Sequence, residues 1–216
     1  GGTSGLIYGY VNDGFYTVAD FESFDSKSRT WKLKEGVVDS SPLSDTPRPG
    51  NAKFKKLTPV DPNSTNPYQL TEADRTVIGN TTPKFSGGFG LNATYKGFDM
   101  SMFFMYDFDV LNANKIMLTT WADNKENNFL MDIASDKRWR NFDDMGNEIR
   151  YSPEVLAEFN KNATMWNPTS IGRPICMSYA VEDGSFLRLN SATLGYTLPS
   201  VWTKKVGLSK VRFYVS

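Results

Sequence analysis

Length, composition and charge exclude several classes of protein. The chain has 216 residues with 24 basic and 24 acidic side chains, so no net charge attracts it to nucleic acid. Its mean hydropathy is −0.43, and no run approaches the about 18 apolar residues of a membrane-spanning helix. A barrel strand is not excluded, because only alternate residues of such a strand contact lipid.

The residue types of the commonest enzyme mechanisms are missing. The chain has no histidine, which excludes Ser-His-Asp triads, Cys-His dyads and the commoner zinc sites. Its one cysteine, Cys176, cannot form an internal disulfide, so we expect a structural residue. Acidic pairs leave a hydrolase open as a further hypothesis, although adjacent acids are usually solvated; these pairs are Asp107/Asp109 and Asp143/Asp144. We therefore predict no enzyme, no catalytic residue and no cofactor.

The first strand-like segment covers residues 5–21. Leu6, Tyr8 and Tyr10 alternate with other residues, and residues 12–14 (Asn-Asp-Gly) have the composition of a turn. From about residue 22 to 82 the alternation is lost among Ser, Pro, Asp, Asn and Lys. This composition predicts a long solvated loop.

A partial calcium-binding pattern lies in this loop. Side chains at loop positions 1, 3, 5 and 12 are Asp61, Asn63, Thr65 and Glu72. However, Pro62 and Pro67 interrupt the pattern, and Asn66 replaces the glycine of the sharp turn. We predict a solvated loop without a metal.

Residues 83–109 show the clearest strand pattern. Apolar residues occupy odd positions before Lys96 and Gly97 and even positions after them. A two-residue turn at Lys96 and Gly97 places both sets on one face. The predicted cross-strand pairs are Tyr95 with Phe98, Ala93 with Met100, and Leu91 with Met102.

The length of these two strands favours a membrane. Each has about twelve residues, against about 5–6 in a typical globular strand and about 9–11 in a tilted strand that crosses a bilayer. The opposite face carries Gly, Ser, Asn, Thr and Asp, apart from Phe103 and Met105, and suits a wet lumen. The alternative is a long hairpin of a soluble sandwich.

Residues 110–184 form a second long loop that we expect to contain one or two short helices. Ser152 as N-cap and Pro153 at the first helical position predict a helix with an apolar stripe. That stripe consists of Val155, Leu156 and Phe159. A second helix is predicted over about residues 128–139.

Three tryptophans in this loop are candidate ligand-binding residues. Trp121, Trp139 and Trp166 lie among Asn, Asp, Lys and Arg. An apolar ring beside polar groups suits a sugar or peptide, because the ring stacks while its neighbours form hydrogen bonds. Alternatively, the tryptophans anchor a large loop to its scaffold.

Strand structure returns at about residue 185. Leu187 and Leu189 lie in one phase of the alternation, whereas Ala192 and Leu194 lie in the other, which predicts a bulge near Asn190. Residues 199–210 form a turn region, and an alternating strand follows. Aromatic residues collect at one end of neighbouring strands, as in an interfacial girdle; these are Tyr95, Phe98, Tyr196 and Trp202.

The predicted layout is all-β, with antiparallel up-and-down strands and one-sided loops. The strands are predicted at about 84–96, 98–109, 185–198 and 210–216, and the long loops at about 22–82 and 110–184. Short turns at one end and long loops at the other are typical of outer-membrane barrels. The chain's first and last residues suggest a piece of a longer protein.

Three stretches resemble a known family. They are IGNTTPKFSGGFGLNATYKGFDMSMFF, VEDGSFLRLNSATLGYTLP and KKVGLSKVRFYVS. They resemble the C-terminal barrel region of the SusC/RagA family of TonB-linked outer-membrane transporters, and GLIYGYVNDGFYTVADF resembles the loop segment that precedes this region in the family. Where that family often carries a stretch similar to DLNGDGVID, this chain matches only in part, at Asp61, Asn63 and Asp74.

The resemblance implies residues 1–216 to be a C-terminal fragment of a large TonB-dependent barrel in the outer membrane. It further implies contact with outer-membrane lipid, a SusD-like surface lipoprotein as partner, and TonB-powered import of oligosaccharides or peptides. The TonB complex would act through regions absent from this chain. The alternative hypothesis is a soluble surface glycan-binding β-sandwich.

Overall fold

The computed structural model describes residues 5–43, 45–108, 111–112, 137–167 and 175–216. The strands of this part are β1 (Leu6–Gly9), β2 (Asn12–Phe15), β3 (Phe21–Asp25), β4 (Thr30–Leu33), β5 (Ala52–Phe54), β6 (Thr76–Asn80), β7 (Phe85–Tyr95), β8 (Phe98–Phe108), β9 (Leu111–Asn112), β10 (Glu182–Asp183), β11 (Phe186–Thr197) and β12 (Arg212–Val215). The α-helices are α1 (Pro153–Phe159) and α2 (Ser200–Thr203). No helix among the described residues is long and apolar enough to cross a membrane.

The chain divides into two compact units. The first comprises Gly1–Gly79 and Asn112–Glu182, and the second comprises Asn80–Leu111 and Asp183–Ser216. Most of both predicted long loops therefore belongs to the first unit. The solvated loop predicted over about residues 22–82 is not solvated throughout, because Phe54 and Leu70 are buried in the core of this unit.

The core of the first unit consists of two clusters of buried side chains. One cluster contains Tyr10, Ala52, Phe54, Leu70, Met165, Trp166, Ile175 and Met177. The other contains Trp139, Ile149 and Leu156. Short antiparallel ladders, β2 with β5 and β3 with β4, lie beside them. The clusters join residues far apart in sequence, so no local alternation marks them.

A buried carboxylate, Asp74, holds the segment that carries the partial calcium-binding pattern. Its Oδ1 accepts the N–H groups of Leu57 at 2.8 Å and Thr58 at 2.7 Å, and the Thr58 hydroxyl at 2.7 Å. Its Oδ2 accepts the Thr71 N–H at 2.8 Å and lies 3.5 Å from Lys56 Nζ. Burial by itself raises the pKa of a carboxyl group, but these hydrogen bonds outweigh it and lower the pKa of Asp74.

The second unit is a four-stranded antiparallel sheet in the order β12-β11-β8-β7. These four strands agree with the predicted bounds to within two residues. The predicted pairs of the β7–β8 hairpin are confirmed. Lys96 (φ 47°) and Gly97 (φ 88°) both adopt the left-handed conformation that a tight two-residue turn requires.

Helix α1 confirms the predicted helix, with Ser152 as N-cap and Pro153 at its start. Leu156 is buried, as the stripe predicts, whereas Val155 is exposed. Of the second predicted helix, residues 128–136 lie outside the described part, and residues 137–139 are not helical. The predicted turn region contains α2 and a 3-10 turn, Lys204–Val206.

The sheet has one face that is apolar across its paired strands. In cross-strand rows from the hairpin turn, this face carries Tyr95, Phe98, Tyr196 and Phe213; Ala93, Met100, Leu194 and Val215; Leu91, Met102 and Ala192; Phe89, Phe104 and Leu189; and Gly87, Tyr106 and Leu187. The predicted bulge, between Leu189 and Ser191, keeps both phases of β11 on this face.

The opposite face is mostly small and polar. Its middle row is Asn92, Ser101 and Thr193. Phe103 is an aromatic exception on this face, and its ring packs over Gly88. A Cβ on Gly88 would stand 2.7 Å from the Phe103 Cζ atom. Exposed side chains occur on both faces. This is contrary to the sandwich alternative, which requires one face packed against a second sheet.

An ion pair crosses strand β11 on the polar face. The Arg212 Nε atom of β12 donates to Asp99 Oδ1 of β8 at 3.0 Å, and Nη2 donates to Oδ2. Between them lies Gly195, where a Cβ would stand 2.6 Å from Arg212 Nη2 and 2.8 Å from Asp99 Oδ1. Only glycine leaves room for this bidentate contact.

We expect the Gly195→Ala substitution to separate Asp99 from Arg212 with a small loss of thermal stability. The added methyl group displaces the flexible guanidinium rather than the backbone. Combining it with Asp99→Asn should therefore cost no more than either change alone, as measured in a double-mutant cycle of melting temperatures. Gly90→Ala is the control, since its nearest neighbour is 3.6 Å away. Additive losses would contradict this account.

Candidate ligand-binding site

Two neighbouring cavities lie in the first unit. The smaller has a volume of about 160 Å³ and the larger about 350 Å³. Asn141, Arg150 and Asn167 line both cavities, which are therefore adjacent. We call them the arginine cavities.

Arginine dominates the charge of the arginine cavities. Their lining includes Arg29, Arg48, Arg138, Arg140 and Arg150. The acidic lining residues are Asp45 and Asp143. Five of the nine arginines of a chain without net charge thus line one site. The local excess of positive charge favours an anionic group.

The Tyr151 ring in the wall of the smaller cavity contacts two arginines and a phenylalanine. The Arg29 guanidinium carbon lies 4.7 Å from the centre of this ring, and that of Arg150 lies 5.7 Å away. Phe24 of β3 stacks with Tyr151 at 6.3 Å between ring centres. Arg29 lies in the β3–β4 turn with φ 55°, and Trp31 follows in β4. The hairpin therefore brings a cation and an aromatic ring to the cavity.

The arginines differ in how they are paired. Arg150 Nε lies 2.6 Å from Glu148, Arg140 Nη1 lies 2.9 Å from Asp144, and Arg48 Nη2 lies 3.5 Å from Asp45. Within the described ranges no carboxylate lies within 4 Å of the charged nitrogens of Arg29 or Arg138. Among the described residues, these two guanidinium groups are therefore without a carboxylate partner.

The structure places two of the three candidate tryptophans in the core. Trp166 is 2% exposed, with the Tyr179 ring edge-on at 4.7 Å. Trp139 is 3% exposed but forms part of the lining of the larger arginine cavity. Trp121 lies outside the described residues. The burial of Trp139 and Trp166 favours the anchoring alternative, and ligand contact by the three residues stays a prediction.

Gly50 fixes the position of Trp139. Its φ of 88° is left-handed, and a Cβ there would stand 2.2 Å from Trp139 Cδ1. The Gly50 carbonyl accepts the N–H of Asn167 at 2.7 Å, and the N–H of Trp139 donates to Met165 at 2.8 Å. Backbone hydrogen bonds therefore connect the segments around residues 50, 139 and 166 at the wall of the larger cavity.

The pKa shifts of Asp143 and Cys176 do not favour acid–base or nucleophilic catalysis in the first unit. Hydrogen bonds from the Asn147 side chain and backbone lower the pKa of Asp143, so this carboxyl is a poor proton donor. Burial raises the pKa of the Cys176 thiol and lowers its reactivity. No group of three or more Asp, Glu and Cys suited to a metal occurs in the described part of the chain. Asp109 lies outside that part.

The sequence did not reveal the arginine cavities. The arginines that line them come from segments around residues 29, 48, 140 and 150. Only the Arg138-Trp139-Arg140 triplet gives a local signal, and a charge pair around a tryptophan is common on surfaces. The tertiary structure alone brings the others together.

Comparison with known proteins defines the class. The chain is 32% identical over 214 residues to TonB-dependent receptor P3 of Formosa agariphila, covering 98% of this chain and 17% of that protein. The RagAB peptide transporter matches it with a TM-score of 0.50 at 19% identity, over 97% of this chain and 18% of that one. The RagAB peptide importer in its closed-closed state gives a TM-score of 0.48 at 18% identity, over 98% and 19%. No protein-family model matches the chain.

The fold is therefore part of an all-β barrel of the outer membrane. These matches support the resemblance to the SusC/RagA family of TonB-linked outer-membrane transporters, and the similarity to the TonB-dependent receptor extends over 98% of this chain. The chain spans less than a fifth of the length of each of these relatives. Its position at the C-terminal end of the full protein stays a prediction.

Proposed function

We propose that this chain forms part of the wall and the external region of a transporter that imports oligosaccharides or peptides across the outer membrane. The main support is the four-stranded sheet, whose paired strands present one apolar and one small, polar face. Alternation across strands of eleven or twelve residues is what a barrel between lipid and water needs. The apolar face contacts lipid, and the polar face lines the lumen.

The aromatic row nearest the hairpin turn supports this orientation. Tyr95, Phe98, Tyr196 and Phe213 lie side by side across four strands. Phe98 and Tyr196 also contact each other, with ring centres 4.4 Å apart. Aromatic rings collect at the boundary between lipid and water, so this row forms an interfacial girdle.

The partners follow from the relatives. RagAB is described as a peptide transporter, which supports a peptide ligand for this protein. We propose that a SusD-like lipoprotein delivers an oligosaccharide or peptide and that the TonB complex supplies energy through other parts of the protein. The relatives are a receptor and a transporter rather than enzymes.

A charge in the middle of the apolar face tests the assignment of faces. We expect Leu91→Arg to reduce the fraction of assembled barrel strongly, since Arg at the bilayer midplane costs about 2–4 kcal/mol. Its neighbour Asn92→Arg places the same side chain on the opposite face and is the matched control. The measurement is the heat-modifiable folded fraction of the full-length protein in outer membranes. Equal assembly of Leu91→Arg and Asn92→Arg would overturn the assignment.

Growth tests the transport itself. Cells that lack the full-length gene should lose growth on one class of peptide or oligosaccharide, and the intact gene should restore it only while TonB is functional. Unchanged growth on every such nutrient would contradict the proposed function. If the intact gene restores growth in cells without functional TonB, the proposal that TonB supplies the energy for import is wrong.

A further inference from the structure

We propose that the arginine cavities bind a carboxylate group of the imported ligand. This inference rests on the proposed transport function and names a chemical class for its ligand. The three features that support it are the balance of charge among the described residues, the presence of arginine rather than lysine, and the size and amide lining of the smaller cavity.

The first feature is the balance of charge. Arg29 and Arg138 line the two cavities without a carboxylate in ion-pair distance among the described residues, whereas Arg150, which lines both, is paired with Glu148. Five guanidinium groups line the cavities against the two acidic lining residues Asp45 and Asp143, and the ring of Tyr151 offsets their mutual repulsion only in part. A bound carboxylate would remove the repulsion and add charge-assisted hydrogen bonds.

The second feature is the choice of arginine over lysine. No lysine lines either cavity among the described residues. The planar guanidinium group offers paired donors that match the two oxygens of a carboxylate, whereas an ammonium group acts as a point charge. Stacking of Arg29 on Tyr151 also limits its rotation. The site therefore recognises a planar anion rather than negative charge in general.

The third feature is size and the neutral polar lining. The smaller cavity, of about 160 Å³, holds one residue of an oligomer rather than a whole ligand. Asn51, Asn141 and Asn167 contribute amide groups to its wall. Asn51 is 5% exposed, and its N–H donates to the Arg48 carbonyl at 3.0 Å. The amides suit hydrogen bonds to the hydroxyl or peptide groups that adjoin the carboxylate.

A carboxylate can come from an acidic peptide or from a uronic acid of an oligosaccharide. The chemistry recognised by the arginines is the same in both. Two pairs of probes separate the sources. One pair is a glutamate-rich octapeptide and its glutamine counterpart, and the other is trigalacturonic acid and neutral galactotriose.

Binding of these four probes to the full-length transporter in detergent tests the proposal. We expect wild type to prefer the acidic member of one pair by tenfold or more. Arg29→Gln or Arg138→Gln should weaken binding of that probe about tenfold each and leave the neutral member unchanged. Raising the salt concentration should weaken only the acidic probe.

Arg75→Gln is the matched control, because Arg75 is exposed in the same unit and lines neither cavity. Arg29→Lys separates charge from geometry, and we expect it to restore only part of the affinity. The proposal is overturned if wild type binds no acidic probe or binds both members of each pair equally. It is also overturned if Arg29→Gln and Arg138→Gln bind like Arg75→Gln.

The same strains distinguish this proposal from the transport function. If growth on a nutrient requires the transporter but is unaffected by Arg29→Gln and Arg138→Gln, only the carboxylate site is wrong. If growth never requires the transporter, the proposed function is wrong. Thermal melting of each variant confirms that the first unit remains folded.

Discussion

Replacing Gly50 by alanine is expected to disrupt the first unit. The residue has φ 88°, where an L side chain costs about 1–2 kcal/mol. The new Cβ would also stand 2.2 Å from Trp139 Cδ1, and an overlap in a packed core costs about 1–3 kcal/mol more. The loss should appear as a lower transition temperature of tryptophan fluorescence and faster proteolysis of the full-length protein.

Gly36→Ala isolates the contribution of Trp139. Gly36 has nearly the same backbone conformation, φ 85°, but no atom lies within 4 Å of its missing Cβ. This control should lose only the conformational part, about 1–2 kcal/mol. If Gly36→Ala and Gly50→Ala have the same transition temperature, the contact with the Trp139 indole contributes nothing to the loss of stability. Because Trp139 lines the larger arginine cavity, Gly50→Ala should also weaken ligand binding.

Removing the Asp74 carboxylate is the second change with a large expected effect. Asp74→Ala leaves the N–H groups of Leu57, Thr58 and Thr71 without their carboxylate acceptor and leaves Lys56 without its ion-pair partner. Breaking a buried pair of this kind costs about 3–5 kcal/mol. The measurement is thermal unfolding of the full-length protein, with proteolysis of the 57–73 segment as a local probe.

Asp61→Ala is the control for the same segment. The Asp61 side chain is exposed and accepts the N–H of Asn63 at 2.9 Å. An exposed substitution of this kind changes stability by about 0.5 kcal/mol or less. A loss as large as that of Asp74→Ala would mean that the segment depends on its acidic charge rather than on the buried hydrogen bonds.

The Asp74 carboxylate also gives stability a defined dependence on pH. Its pKa is lower in the folded protein than the usual value of about 3.9 in an unfolded chain. Its contribution is therefore complete above about pH 4 and is lost as the pH falls further through the folded-state pKa. We expect the melting temperature of wild type to fall below pH 4, and Asp74→Asn to show a weaker fall from a lower starting value. If the melting temperatures of wild type and Asp74→Asn fall in parallel with pH, titratable groups other than Asp74 cause the loss of stability in acid.

Local pattern was sufficient for the sheet. Side chains in a strand alternate between its faces, so the shift of phase at Lys96 and Gly97 revealed the turn and the register of β7 with β8. The interrupted phase near Asn190 revealed the bulge, because an extra residue reverses the alternation. Helix α1 was predictable from Ser152 and Pro153. All of these features depend on residues that are close in sequence.

Local pattern failed for the first unit. Phe54, Leu70 and Trp166 pack in one cluster, yet each lies in a segment that reads as polar and irregular. The strands around them have three to five residues, too few for alternation to stand out. The same limit applies to Asp74, whose partners lie in two segments of one long polar stretch.

The sequence by itself determined the four long strands, the register of the β7–β8 hairpin, its apolar face and the family resemblance, since each depends on the order of neighbouring residues. Only the tertiary structure decided that most of the long loops fold into a compact unit and that five arginines line one site. The physical reason is distance along the chain. Buried clusters and binding cavities form from segments up to more than a hundred residues apart, and the contacts between such segments have no period that a sequence displays.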